Sequence, residues 1–152
     1  MKRRIFIQAG GVASLALVAP FLVAAHAQST GATGLNSKKK QGLVIQVSDN
    51  DPAKWNLALN NAKNVQDELG AANVDIEIVA YGPGISMLKL ESPTATRLAK
   101  AMKSNIKIVA CENTMRGDKL TRDDMLGGIN YVNAGVIEIM TKQGEGWAYL
   151  RP

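Results

Sequence analysis

Histidine is almost missing from this chain of 152 residues: the only one is His26. It falls in an amino-terminal stretch that reads as removable, so the domain that follows has none. That excludes Ser–His and Cys–His nucleophilic pairs, and any zinc or copper site built on imidazole. Cysteine is down to a single residue, Cys111, so no internal disulfide can form. Aromatics supply only 5% of the chain. Trp55, Trp147 and Tyr149 accordingly read as packing or subunit contacts, not as a ligand cage. Clustered positive charge is also scarce, although the formal charge is +5. Lys2, Arg3 and Arg4 belong to the removable segment, which leaves 15 of the 18 basic residues against 13 acidic ones, about +2. Lys38, Lys39 and Lys40 more than supply that excess, so no nucleic-acid footprint is expected on the fold itself.

What is present begins with an export signal. Lys2-Arg3-Arg4 form a positive start, Ala9–Ala25 an apolar run, and Ala25-His26-Ala27 the small-x-small pattern that precedes cleavage. Arg3–Gln8 also resembles a twin-arginine signal. The competing reading is an uncleaved anchor, since the apolar run nearly spans a bilayer. Pro20 and the Ala-x-Ala end favour cleavage near Ala27. The expected organisation is therefore a signal peptide over 1–27, a polar leader over 28–41 and one domain over 42–152. A periplasmic location follows, with no membrane contact after cleavage.

Within the domain, apolar runs and helical periods alternate. Leu43–Ser48 reads as a strand, and Asp51-Pro52 as an N-cap followed by proline at the first helical position. The helix carries Trp55, Leu59, Ala62, Val65, Gln66 and Leu69 on its inner face, and Gly70 ends it. Val74–Tyr81 is a second strand in which Asp75 and Glu77 alternate with apolar residues, as on a partly solvated or edge-like strand. Gly82-Pro83-Gly84 turns the chain, and Ser92-Pro93 starts a helix with Leu98, Ala101 and Met102 inward. Ile106–Cys111 is the third strand, and Glu112–Leu120 a short helix or turn. Thr121 caps one more helical turn. A short strand near Ile129–Val132, a helix over Ala134–Gln143 with Val136, Ile137 and Met140 on one face, and a strand Trp147–Leu150 complete the order. This predicts a three-layer α/β/α sandwich of flavodoxin size, with a mostly parallel five-stranded sheet.

Cys111 is the one residue that could carry chemistry. It sits where a strand meets a helix start, and helix N–H groups and nearby Arg116 would favour a thiolate, whereas Glu112 opposes it. The alternative is a small apolar residue ending a core strand. Gly82-Pro83-Gly84 lacks the Lys-Ser/Thr pair of a phosphate loop. Asp49, Asn50 and Asp51 are turn and cap residues before they are a cation site, and Asp123-Asp124 is helix-start chemistry. No metal and no cofactor are expected.

The stretches Leu43–Asn50 (LVIQVSDN), Val79–Gly84 (VAYGPG), Val109–Met115 (VACENTM) and Gly146–Pro152 (GWAYLRP) together resemble the DsrE/DsrF-like sulfur-relay family, in its exported, stand-alone form. The resemblance covers Leu43 to Pro152. It implies the same fold, association as trimers or hexamers, and a cysteine at this strand end that takes up a persulfide from a donor and passes it to an acceptor protein. Cys111 is the position that matches. Asn113 and Thr114 would hold the sulfur, and Tyr81, Gly82 and Asn50 would line the crevice. Such a protein is a sulfur carrier more than a turnover enzyme. The alternative is a non-catalytic binding or assembly protein with a buried structural cysteine.

Overall fold

The computed structural model describes residues 40–152. The expected signal peptide and all but the end of the leader lie outside the described residues. Gln41, read as leader, already belongs to the first strand and pairs with Val74.

Five parallel strands form one sheet in the order β4-β3-β2-β1-β5: β1 is Gln41–Val47, β2 Val74–Ala80, β3 Lys107–Cys111, β4 Asn130–Val132 and β5 Ala148–Leu150. The sheet is wholly parallel, so the expected fold class holds in a stricter form. Helix α1 (Pro52–Leu69) links β1 to β2. A 3-10 segment (Gly82–Leu88) and α2 (Ala95–Lys103) link β2 to β3, and α3 (Glu112–Gly117) follows β3. Helix α4 (Gly135–Gly144) carries the chain from edge strand β4 to the opposite edge, β5.

Alternation along the strands divides the core in two. Leu43, Ile45, Ile76, Ile78, Ile108 and Ala110 pack with Trp55, Leu59 and Ala62 of α1, Leu98 of α2 and Met115 of α3. On the opposite face Val44, Val79 and Val109 pack only against Ile139 of α4, with Tyr81, Val132 and Trp147 at the margin. Strands buried on both faces need near-continuous apolar sequence, which is what Leu43-Val44-Ile45 and Ile78-Val79-Ala80 supply.

Local signals are met where they concern one turn of chain. Asp51 is extended, and its carboxylate accepts the Ala53 N–H at 2.8 Å. Asp51→Ala is expected to cost about 1 kcal/mol, read as a lower urea midpoint with unchanged slope. An unaltered midpoint would remove the cap from the account of α1. Gly70 closes α1 at φ +83°, and Thr121 forms a reciprocal capping box with Asp124.

Three expectations are corrected. Leu69 is exposed, because the buried residues of α1 (Trp55, Ala58, Leu59 and Ala62) all lie before its last two turns, and Ala58 joins the inner face. Helix α2 begins at Ala95 and not after Ser92; the Ser92 and Thr94 hydroxyls bond each other at 2.9 Å, both buried, in a turn that precedes the helix. Strand β2 is central, and Glu77 is fully buried instead of solvated, because α4 crosses over it. Val136, Ile137 and Met140 share a face of α4 as expected, and it points outward. Among the described residues no helix is long and apolar enough to cross a membrane.

Candidate functional site

Cys111 ends β3 and is the residue before α3. Helix α3 leaves toward the face covered by α1 and α2, whereas α4, starting just after neighbouring β4, leaves toward the other face. Adjacent strands whose connections diverge open a crevice at their carboxyl ends, where open α/β sheets hold ligands. Cys111 pairs with Val132 of β4 across that divide. The thiol therefore stands at the topological switch point.

Its surroundings are built from three loops. Thr114, one turn into α3, accepts the Gly82 N–H on its hydroxyl oxygen at 2.9 Å, tying α3 to the turn after β2. The Asn113 N–H donates to the Asn133 carbonyl at 3.0 Å, and the Cys111 S–H points to that same carbonyl at 4.0 Å. From the far side comes Gly135, the first residue of α4. A Cβ there would lie 3.1 Å from Tyr81 Cβ, 3.2 Å from Val79 Cγ1 and 3.3 Å from Cys111 Cβ. Glycine lets α4 start this close to Cys111 without displacing these three side chains.

The electrostatics follow from these contacts. Burial pushes the thiol up, since Cys111 is only 5% exposed. Against it act the Thr114 hydroxyl and the N–H groups of Gly135, Thr114 and Asn113, and the balance lies below the ordinary 9.0. Arg116 does not face the sulfur as a bare cation. It bonds Asn113 Oδ1 and, at 2.9 Å, Asn133 Oδ1, clamping the two loops together. Glu112 is drawn away to Arg122 at 2.8 Å. Hydrogen-bond donors, not the nearby charges, stabilise the thiolate.

Of the residues singled out from sequence, Cys111, Asn113, Thr114, Tyr81 and Gly82 come together here. Asn50 is exposed in the turn between β1 and α1 and takes no part in this hydrogen-bond cluster. Asp49 in that turn serves Lys54 at 3.2 Å and Arg151 at 3.3 Å. Asn133 and Gly135 were not expected at the site. Their signal was a glycine at the start of a helix directly after a short strand, which acquires meaning only once β4 is known to lie beside β3. Among the described residues no group of three or more His, Cys, Asp or Glu side chains could hold a metal ion.

Fold and site together define a class: parallel three-layer α/β proteins with one thiol at the switch point of the sheet. The chain belongs to the DsrE/DsrF-like family, whose family model matches residues 39–152. Among solved structures it is similar to MTH1491 from Methanobacterium thermoautotrophicum, a protein of unknown function. The two share 32% identity over 74% of this chain and 100% of that one, with a TM-score of 0.71. BT1422 from Bacteroides thetaiotaomicron, also of unknown function, shares the fold at 16% identity and a TM-score of 0.59, over 74% of this chain and 95% of that one. The ychN protein from E. coli does so at 12% identity and 0.59, over 75% and 99%. No curated protein matches the chain.

Proposed function

We propose that this is an exported sulfur carrier in which Cys111 holds sulfane sulfur as a persulfide. The observation that carries the reading is the thiol's surroundings: a single cysteine at the switch point, with hydroxyl and amide donors holding its pKa down despite burial. The Cys111 thiolate attacks the sulfane sulfur of a donor; a new S–S bond forms on Cys111, the donor's bond to that sulfur breaks, and the donor leaves with the electron pair. An acceptor nucleophile then attacks the outer sulfur, and Cys111 departs as thiolate. Asn113 and Thr114 hold the outer sulfur, with Tyr81 and Gly82 beside it. The carrier acts in the periplasm after cleavage near Ala27, and its partners are a donor and an acceptor protein.

Homo-oligomerisation, as a trimer or hexamer, is part of the same reading. Val136, Ile137 and Met140 are each more than half exposed on consecutive turns of α4, an apolar stripe that a second copy would cover.

Intact mass after incubation with polysulfide tests the carrier. A gain of one sulfur, about 32 Da, is expected on the wild type and none on Cys111→Ala. An adduct that survives in Cys111→Ala, or none on the wild type, sinks the reading. A second reading, a non-catalytic periplasmic binding or assembly protein with a buried structural cysteine, is favoured by the 5% exposure of Cys111. It predicts a thiol that resists reagents until the protein unfolds.

A further inference from the structure

Helix α4 is inside out. Three of its four large apolar side chains, Val136, Ile137 and Met140, face away from the protein, and only Gly135 and Ile139 are buried. Underneath, beside the packing of Ile139 on Val44, Val79 and Val109, lies a group of charges. Glu77 of β2 is fully buried, and Lys107 of neighbouring β3 brings Nζ to 3.0 Å from its Oε2. Glu138 of α4 reaches the same Nζ at 3.7 Å. Lys142, one turn on, stands 4.0 Å from Glu138 and 3.1 Å from Glu145. On the other side of Glu77, β1 presents Val44, which carries no charge. Neither carboxyl oxygen of Glu77 has a well-formed hydrogen bond among the described residues. Two carboxyl groups thus share the Lys107 ammonium; Glu77 itself is closed to water, whereas the lysine is 43% exposed.

We propose that Glu77 is a proton-operated latch that seats α4 on the sheet and, through Gly135, over Cys111. With a proton on Glu77 one charge beneath α4 disappears, and Lys107 serves Glu138 alone. With the proton gone, a buried carboxylate is left incompletely satisfied, and such a group is costly to hold. Of the elements packed around Glu77 (β1, β3 and α4), the one with least apolar burial to lose is α4, and it is the one that gives. Its amino end is also the donor nearest the sulfur on that side, so unseating exposes the thiol.

The sign of the pH dependence is set by the same contacts. Burial raises the Glu77 carboxyl above its ordinary 4.5, Lys107 lowers it and Glu138 raises it again. A seated α4 therefore binds the Glu77 proton more tightly than an unseated one does. The contribution to seating is complete below about pH 4.5 and is lost as pH rises through the native value.

Hydrogen exchange of α4 amides, referenced to α1 of the same molecule and corrected for intrinsic exchange, reads the latch directly. Protection of α4 in the wild type is expected to fall several-fold from acid to neutral pH and to stay level in Glu77→Gln. Should that variant not fold, Lys107→Met decides, because loss of the ammonium extends the fall to higher pH. A level wild-type profile, a parallel fall in Glu77→Gln, or an unshifted one in Lys107→Met overturns the latch. Amide exchange does not require sulfur on Cys111, so latch and carrier can fail separately.

Discussion

Gly84→Ala is expected to lose about 3 kcal/mol of stability and to loosen the thiol site with it. A Cβ at position 84 would stand 2.3 Å from the Val47 carbonyl oxygen, 2.6 Å from its carbon and 2.9 Å from Ser48 Cα. None of these is the yielding end of a side chain. Val47 ends β1, is paired with Ala80, and its carbonyl already accepts the Tyr81 N–H at 3.1 Å. The Gly82–Leu88 segment must therefore move as a body, lifting Ile85, Met87 and Leu88 from the core. Overpacking against rigid neighbours costs about 1–3 kcal/mol, and the upper end applies where backbone is the obstacle. The same movement withdraws the Gly82 N–H from Thr114. Gly82→Ala makes the contrast: no atom lies within 4 Å of its Cβ, and the only penalty is φ +52°, about 1 kcal/mol. Urea midpoints at constant slope check the pair. Equal losses would show that the close approach to Val47 is not what position 84 requires.

What could be read in the sequence divides by range. Asp51-Pro52, Gly70 and the Thr121–Asp124 box act within a few residues, and each does what its type predicts. The alternation of strands and helices was legible because a parallel sheet buries both faces and leaves apolar runs such as Leu43-Val44-Ile45. Glu77 was not legible, since Asp75 and Glu77 alternating with apolar residues is the ordinary pattern of a solvated face. Only the passage of α4 from one sheet edge to the other turns that face inward, a contact across more than fifty residues. Val136, Ile137 and Met140 were legible only as a shared face: an apolar stripe on a helix marks a face to be covered, not what covers it. At the site, Cys111 and Thr114 were legible as neighbours in one turn. Asn133 and Gly135 depend on β4 pairing with β3. Ser92-Pro93 has the form of a helix start, but the bonded Ser92 and Thr94 hydroxyls hold a turn there instead.

Thr114→Val is expected to slow alkylation of Cys111 at neutral pH by about tenfold or more, while Thr114→Ser stays near the wild type. The hydroxyl oxygen of Thr114 accepts from Gly82 N–H at 2.9 Å. With that lone pair engaged, its proton is left for the sulfur, where it favours the thiolate. Valine keeps the shape and removes the donor. A hydrogen bond to a charged group is worth about 1.5–3 kcal/mol, and each 1.4 kcal/mol is about tenfold in thiolate population. The alkaline limb of the rate profile should accordingly move to higher pH in the valine variant. Stability gives an independent check. The native thiol pKa is depressed, so the thiolate's contribution to folding is present above the unfolded value near 9.0 and lost as pH falls through the native one. The wild type should therefore gain stability over Thr114→Val as pH rises toward that range, beyond the constant cost of leaving the Gly82 N–H without a partner. Superimposable rate profiles for Thr114→Val and the wild type would mean that the backbone donors of Gly135, Thr114 and Asn113 suffice, and that the hydroxyl serves only to join α3 to the turn after β2.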